Sequence, residues 1–335
     1  MKVVSQSPCR VDLAGGTLDI WPLYLYHESA CTVNFAVDRY THCSVDVRRD
    51  RKITLRSRDL DLEETFESLD ALREARKYKL PLLAWQVRFW SPRTGVVVDT
   101  HSEAPAGAGI SGSSSLMISM GHAFNRLAGS PHSTERLRDI CQNIESQVIR
   151  VPTGSQDYYP AMYGGVNVME MSPSGIRRVE IPVDFDDFNE RFVLAYTGAP
   201  RNSGINNWEV MKAHINGDRT VHKNFDHISA LAVAMRRALE KSDWDEAARV
   251  LREEWTHRRK NCPTITTPLI DRLIEVTRKA GARGAKVCGA GGGGCVVFLV
   301  ERGSKARVSE AIATEGAEVL DVKVAPKGVK VKAAS

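Results

Sequence analysis

The residues of this chain best suited to chemistry lie together in APAGAGISGSSSLMISMGHAFNRLAG, from Ala104 to Gly129, where a glycine-rich turn runs into three serines and an amphipathic helix. The first amides of a helix have no intrahelical acceptor, and together with the helix dipole they attract phosphate. Gly107, Gly109 and Gly112 let the backbone approach an anion with no Cβ in the way, while Ser113, Ser114 or Ser115 offers a hydroxyl to a phosphate-bound metal. Two common phosphate loops do not fit. A P-loop needs Gly-Lys-Ser/Thr after a four-residue spacer, and none follows. Gly107, Gly109 and Gly112 do satisfy GxGxxG, but a dinucleotide fold then needs a further strand with an acidic residue about 20 residues on. Instead, STERLRDICQNIESQVIR sets Leu137, Ile140, Cys141, Ile144 and Val148 at helical spacing, so helix follows helix.

The elements that hold this loop are legible on either side. GVVVDTHSE, from Gly95 to Glu103, reads as a strand of β-branched residues. Leu116, Met120, Ala123, Phe124 and Leu127 recur on one helical face, and Gly129 stands at the C-cap. Two more glycine-rich segments flank strands. SPCRVDLAGGTLDI (Ser7 to Ile20) ends a strand in a Gly-Gly turn that carries Arg10 and Asp19. GAKVCGAGGGGCVVFL (Gly284 to Leu299) sets five glycines in six residues between two β-like segments, a pattern that marks close approach of a ligand or another backbone.

Taken together, these residues resemble the GHMP kinase family, named for galacto-, homoserine, mevalonate and phosphomevalonate kinases. That family carries an N-terminal motif around a basic residue, a central PxxxGLGSSA motif and a C-terminal glycine-rich motif, and this chain offers Arg10 to Asp19, Pro105 to Ser115 and Lys286 to Cys295 in that order. Within the family, the AGGxxD opening, the serine-rich central loop, Gln-Asp followed by Gly-Gly, and the Tyr-Thr-Gly strand are similar to bacterial sugar 1-kinases acting on D-glycero-D-manno-heptose 7-phosphate. The resemblance implies an α+β, two-domain fold: an N-terminal ribosomal-protein-S5-like ATP-binding domain over 1–185 and a C-terminal ferredoxin-like domain over 186–335. It also implies ATP and Mg2+, with the site in the cleft between the domains.

The roles that the resemblance implies fall on particular positions. Asp157, in TGSQDYYPAMYGG, takes the place of the catalytic carboxylate that accepts the proton of the substrate hydroxyl, and Arg10 that of the basic residue beside it. Pro105, Gly107, Ala108, Gly109, Ser111, Gly112 and Ser113 to Ser115 surround the nucleotide phosphates. Glu145, twelve residues before Asp157, matches the acidic Mg2+ ligand, with Ser113 or Ser114 as hydroxyl partner. The choice of serine stays open because GISGSSS departs from GLGSSA. Asp19 matches a sugar-hydroxyl ligand of galactokinase-like members, or it caps the next helix. Gly16 and Thr17 replace the Glu-His pair of galactokinases, which argues against galactose, and they join Gly291 and Gly292 as expected substrate contacts. In YTGAPRNSG, Arg201 either holds the distal phosphate of a sugar phosphate or is an ordinary loop residue, with Asn202 beside it; Lys286 either touches nucleotide or flanks its loop.

The rest of the chain bounds these readings. At 335 residues it suits two domains, and its 46 basic and 41 acidic residues, a formal charge of +5, give no electrostatic case for nucleic acid. The clusters Arg48 to Lys52 and His257 to Lys260 read as solvated faces. Seven scattered cysteines without CxxC suggest reduced thiols, and no apolar run is long enough to cross a bilayer, so the expected location is the cytoplasm. The expected partner is a small sugar or sugar phosphate, and a homodimer is admitted. Along the chain, strands precede a helical stretch at Ser68 to Trp90; PTGSQDYYPAMYGG reads as a loop, followed by a hairpin turning at Ser172 to Gly175. Ile181 to Arg191 looks like the boundary, a strand FVLAYTG opens the second half, and helix runs from Asn206 to Lys260 with Ile228, Leu231, Ala232, Met235 and Leu239 as a core stripe. A helix closing on Gly281, the strand-loop-strand, a further helix and a basic strand EVLDVKVAPKGVKVK complete it. The resemblance implies transfer of the ATP γ-phosphoryl group to a hydroxyl of a sugar or sugar phosphate, namely the anomeric one of D-glycero-D-manno-heptose 7-phosphate. The alternatives are another acceptor (L-fucose or a mevalonate-type alcohol) or a catalytically silent ATP and sugar sensor.

Overall fold

The structure, a computed structural model, describes residues 1–199 and 205–334. Arg201 and Asn202 therefore lie outside the described residues. The first half runs β1 (Lys2–Ala14), β2 (Cys31–Val47), β3 (Ile53–Ser57), β4 (Leu62–Phe66), α1 (Leu69–Glu74), α2 (Pro81–Trp90), β5 (Val96–Ser102), α3 (Gly112–Leu127), α4 (Thr134–Ile149), α5 (Tyr158–Tyr163), β6 (Val166–Ser172) and β7 (Gly175–Glu180). The second runs α6 (Phe185–Arg191), β8 (Phe192–Tyr196), α7 (Ile205–Ile215), α8 (Arg219–Glu240), α9 (Trp244–Asn261), α10 (Pro268–Ala280), β9 (Ala282–Val287), β10 (Cys295–Val300), α11 (Lys305–Thr314), β11 (Glu318–Leu320) and β12 (Lys330–Ala334).

Two sheets result. The larger has the order β12-β1-β2-β5-β3-β4, with β6 on β2 and β7 on β6. Strand β2 is long enough to pair β6 along Cys31 to Phe35 and β5 along Thr41 to Val47. The smaller sheet, β11-β8-β10-β9, is antiparallel throughout. Helices separate β8 from β9 and β10 from β11, so its strands run in the ferredoxin-like order of two interleaved β-α-β units. A shared core joins the halves: Val11 and Leu13 of β1 pack with Met235 of α8, Leu251 of α9 and Val297 of β10. The stripe from Ile228 to Leu239 is buried in α8 as its period requires.

Several elements differ from the sequence reading. Tyr158–Tyr163 is a short helix rather than loop, because Tyr158 and Ala161 pack against Met117, Ile118 and Ile144. The stretch from Ile181 to Arg191 holds helix α6, capped by the Asp184 carboxylate on the amides of Asp186 and Asp187. The long helical region is three helices, and β4 was not anticipated. The final basic strand divides between the sheets: β11 pairs β8, whereas β12 returns to pair β1, with Lys2 opposite Ala334 and Gln6 opposite Lys330. Sheet membership thus changes between β7 and β8 and changes back at β12.

Candidate active site

Helix α3 begins at Gly112, so all three serines sit inside its first turn rather than ahead of it. Its N-cap residue Ser111 is held at φ +63° and makes no capping hydrogen bond, and its Oγ is buried without a partner. The N-terminal amides of Gly112, Ser113 and Ser114 are thus left to whatever enters from the cleft, with no side chain competing for them. Positive φ at Gly107 (+69°) and Gly109 (+77°) turns the loop onto this helix end. The cleft measures about 410 Å³ and is walled by Pro105, Gly107, Ala108 and Gly109 on one side and by Asp19, Asp157 and Asn207 on the other.

Arg10 of β1 crosses this cleft floor while only 4% exposed. Its Nε donates to Asp157 Oδ1 at 2.9 Å, Nη2 donates to the same oxygen, and Nη1 donates to the Gly109 carbonyl at 2.8 Å. One guanidinium thereby fixes both the carboxylate and the phosphate loop. Among the described residues no hydrogen bond ends on Asp157 Oδ2. Asp19 does not cap a helix. It is 2% exposed and accepts the Gln156 backbone amide at 2.9 Å and Gln156 Nε2 at 3.2 Å. Burial, reinforced by the nearby Asp157 charge, raises its pKa to about 7.

Glu145 lies buried in α4 opposite the start of α3. Ser113 Oγ donates to its Oε1 at 2.6 Å and Tyr158 Oη to its Oε2 at 2.5 Å. Burial raises its pKa against the hydrogen bonds from Ser113, Tyr158 and Ser114. The pair offers one carboxylate and one hydroxyl beside uncapped helix amides, a donor set of the hard oxygen type that suits Mg2+ bound together with nucleotide phosphates. Both Ser113 and Ser114 reach the Glu145 carboxylate, Ser113 through the 2.6 Å hydrogen bond.

Three expected contacts are corrected. Ser115 turns away from the cleft: its amide bonds the Ser111 carbonyl at 2.9 Å, and its hydroxyl donates to the Ser7 carbonyl at 2.9 Å within a buried set that includes Thr41. Gly291 and Gly292 do not line the cleft, where Gly289 and Ala290 stand instead. The Gly292 amide donates to the Ile265 carbonyl at 2.7 Å, and a Cβ on Gly291 would collide with Ile265. The run brings two backbones together: Cys295 N donates to the Ala108 carbonyl at 2.7 Å, and a Cβ on Gly294 would stand 2.7 Å from that oxygen. Gly16 and Thr17 do border the cleft, with Thr17 Oγ1 donating to Asn207 Oδ1 of α7 at 3.1 Å.

Below the site lies a charge cluster that the sequence reading missed. Lys286 turns its side chain inward from the end of β9. Its Nζ, fully buried, donates to Asp12 Oδ2 at 2.8 Å and Glu254 Oε1 at 3.0 Å. Arg258, assigned from sequence to a solvated face, is 5% exposed; it reaches Asp12 at 3.5 Å and the Gly289 carbonyl at 2.6 Å. Burial alone would raise the Asp12 pKa, but Lys286, Arg10 and Arg258 hold it well below the usual carboxylate range. Asp12 also accepts the Gly289 amide at 2.9 Å, so one carboxylate ties β1 to α9, β9 and the glycine run. The available signal was Glu254 and Arg258 at i and i+4 among Leu251 and Trp255, charges on an otherwise apolar face.

A two-domain fold with a helix N-terminus aimed at a carboxylate-and-arginine pair defines a small-molecule phosphotransferase site. Family models agree: residues 70–165 match "GHMP kinases N terminal domain" and residues 235–318 match "GHMP kinases C terminal". The chain belongs to the GHMP kinase family, whose members use ATP as phosphate donor. It is 26% identical to a D-glycero-alpha-D-manno-heptose 7-phosphate kinase of Campylobacter jejuni across 98% of this chain and 99% of that protein. An L-fucokinase/L-fucose-1-P guanylyltransferase of Bacteroides fragilis is 25% identical over 91% of this chain but only 35% of its own length. The solved D-glycero-D-manno-heptose 1-phosphate kinase from Bacteroides thetaiotaomicron superposes with a TM-score of 0.78 at 22% identity, covering 99% of both chains. Among the described residues no helix is long and apolar enough to cross a membrane.

Proposed function

We propose that this chain transfers the γ-phosphoryl group of ATP to a hydroxyl of a sugar or sugar phosphate, the acceptor being the anomeric hydroxyl of D-glycero-D-manno-heptose 7-phosphate. The observation that carries the reading is Arg10 gripping Asp157 Oδ1 beside the uncapped α3 N-terminus, with Asp19 held a residue away by Gln156. In this reading Asp157 Oδ2 takes the hydroxyl proton while the acceptor oxygen forms its bond to the γ-phosphorus and the bond to the β-phosphate oxygen breaks. Arg10 keeps the Asp157 carboxylate oriented and places positive charge near the transferring group. The amides of Gly112 to Ser114 would receive phosphate oxygens, and Glu145 with Ser113 would hold Mg2+, which would neutralise charge on the nucleotide phosphates. Asp19, in contact with Gln156, binds a sugar hydroxyl. The extent of the likeness to the Campylobacter heptose 7-phosphate kinase, 99% of that protein, favours this acceptor over L-fucose.

The test is product identification by phosphorus NMR after incubation with Mg-ATP and heptose 7-phosphate. The expected product carries a second phosphate coupled to the anomeric proton. Consumption of L-fucose or mevalonate in preference to the heptose would overturn the acceptor assignment, and ATP binding without any acceptor turnover would favour a sensor.

A further inference from the structure

A second cluster with metal-binding chemistry lies away from the cleft. His27 follows a short helical turn over Leu23–Tyr26, His214 ends α7, and His222 lies in the first turns of α8. One ring nitrogen from each falls within 4.8 Å of the other two. His27 Nδ1 stands 2.7 Å from Asp226 Oδ1 and its Nε2 stands 2.8 Å from His214 Nε2, while His222 Nε2 is 2.9 Å from the His214 carbonyl oxygen. Carboxylate and carbonyl oxygens only accept, so the proton sits on His27 Nδ1 and on His222 Nε2 in the neutral rings. That leaves a lone pair on His27 Nε2 and on His222 Nδ1. His214 is 1% exposed, and its Nδ1 is buried with no hydrogen-bond partner.

We propose that His27, His214 and His222 form a binding site for Zn2+, with Asp226 orienting His27 from behind. Three neutral imidazoles are the donors that a borderline-soft divalent ion selects over Mg2+. Tetrahedral Zn–N bonds of about 2.0–2.1 Å set ligand nitrogens about 3.3 Å apart, so the two facing Nε2 atoms need part only a few tenths of an ångström, whereas the His222 ring, stacked on His214 with centroids 3.7 Å apart, must swing outward to aim its Nδ1 lone pair at the same ion. His214 then carries its proton on Nδ1, which has no protein acceptor among the described residues, rather than sharing it with His27. The carboxylate behind a ligating histidine fixes its tautomer and raises its basicity, as Asp226 does here. Phe225, with its ring 5.6 Å from both His27 and His214, gives the site an apolar wall. The ion would join the chain just beyond the Gly15 to Asp19 loop to α7 and α8, and α7 already meets that loop through Asn207 and Thr17. The site thus clips one wall of the cleft in place and takes no part in phosphoryl transfer.

The experiment titrates Zn2+ into the metal-stripped full chain against a chromophoric chelator, in a Cys262→Ser background because Cys262 is the one cysteine that is not buried. One ion per chain is expected, with a rise in Tm on binding. His222→Gln keeps a donor for the His214 carbonyl and should abolish both effects, while Asp226→Asn, altered at an exposed side chain, should weaken affinity by about 10- to 100-fold. Co2+ should give intense visible bands in the parent and none in His222→Gln. No binding by the parent at micromolar Zn2+, or equal binding and equal Tm shifts in all three proteins, overturns the proposal. None of these readouts depends on kinase activity.

Discussion

Replacing Asp19 by Asn should make this protein more stable and less active, and the gain should depend on pH in a defined direction. Asp19 is buried beside Asp157, and its pKa stands at about 7 against an ordinary value of 3.8. Between these values the unfolded chain has released the proton and the folded chain has kept it, so wild-type stability falls as pH rises from about 4 to about 7 and levels off above. At 1.36 kcal/mol per pH unit the penalty reaches about 4 kcal/mol. Asn cannot ionise and is free of it. Asn also keeps its contacts, because the Gln156 side-chain oxygen has no partner in the native structure and an amide flip presents it to the new NH2 group. The expected advantage of Asp19→Asn is thus near zero at pH 4 and about 2–4 kcal/mol at pH 8. Urea unfolding followed by tryptophan fluorescence across this range measures it. At the same time kcat/KM for the sugar should fall roughly 10- to 100-fold, the worth of one hydrogen bond to a charged acceptor. An advantage independent of pH, or an Asn variant less stable than wild type at pH 8, would refute the reasoning.

Lys286→Met should cost about 3–5 kcal/mol in urea unfolding at pH 7, because it strands the buried Glu254 carboxylate and removes one of the three cations that hold Asp12; a loss below about 1 kcal/mol would mean that Glu254 finds another partner. Gly294→Ala sets a Cβ against the Ala108 carbonyl at a residue with φ +77°, and should lower stability by about 1–3 kcal/mol while raising KM for ATP through the displaced loop, as steady-state kinetics would register. Glu145→Gln should raise the half-saturating Mg2+ concentration roughly tenfold or more, about 1.4 kcal/mol of lost binding. Its stability at pH 7 should not fall, since burial already disfavours the charged form; a Mg2+ titration of the rate and a urea curve separate the two effects.

The elements most legible in the sequence were those whose period and caps agree. Helix α3 and its C-terminal Gly129, the α8 stripe, and the hairpin β6-β7 follow from local pattern, and the three glycine motifs told where backbones must come close. What the last motif approaches was not local information. Gly291 and Gly294 meet Ile265 and Ala108, residues distant in sequence, so a glycine read as a ligand contact proved to be a joint between two chain segments. Ser115 shows the same limit at finer scale. Three consecutive serines on a helix point about 100° apart, and only the packing of α3 on β1 sends Ser113 to Glu145 and Ser115 to Ser7. The cluster of Asp12, Glu254, Arg258 and Lys286 is only half legible: Glu254 and Arg258 mark themselves as charges on an apolar face of α9, but Asp12 and Lys286 come from two other elements and each, alone, resembles a surface charge. The return of β12 to β1 escaped for a related reason: strand propensity says that Lys330 to Ala334 extends, not which sheet receives it.

In the proposed reaction Asp157 is the carboxylate that takes the proton of the sugar hydroxyl, and coupled ADP release with Mg-ATP tests this most directly when wild type and Asp157→Asn are compared on heptose 7-phosphate. Sugar-dependent turnover by the wild type that falls by about 10²–10⁴ in the variant, with ATP binding retained, is the expected result. Equal sugar-dependent turnover by both proteins would contradict it.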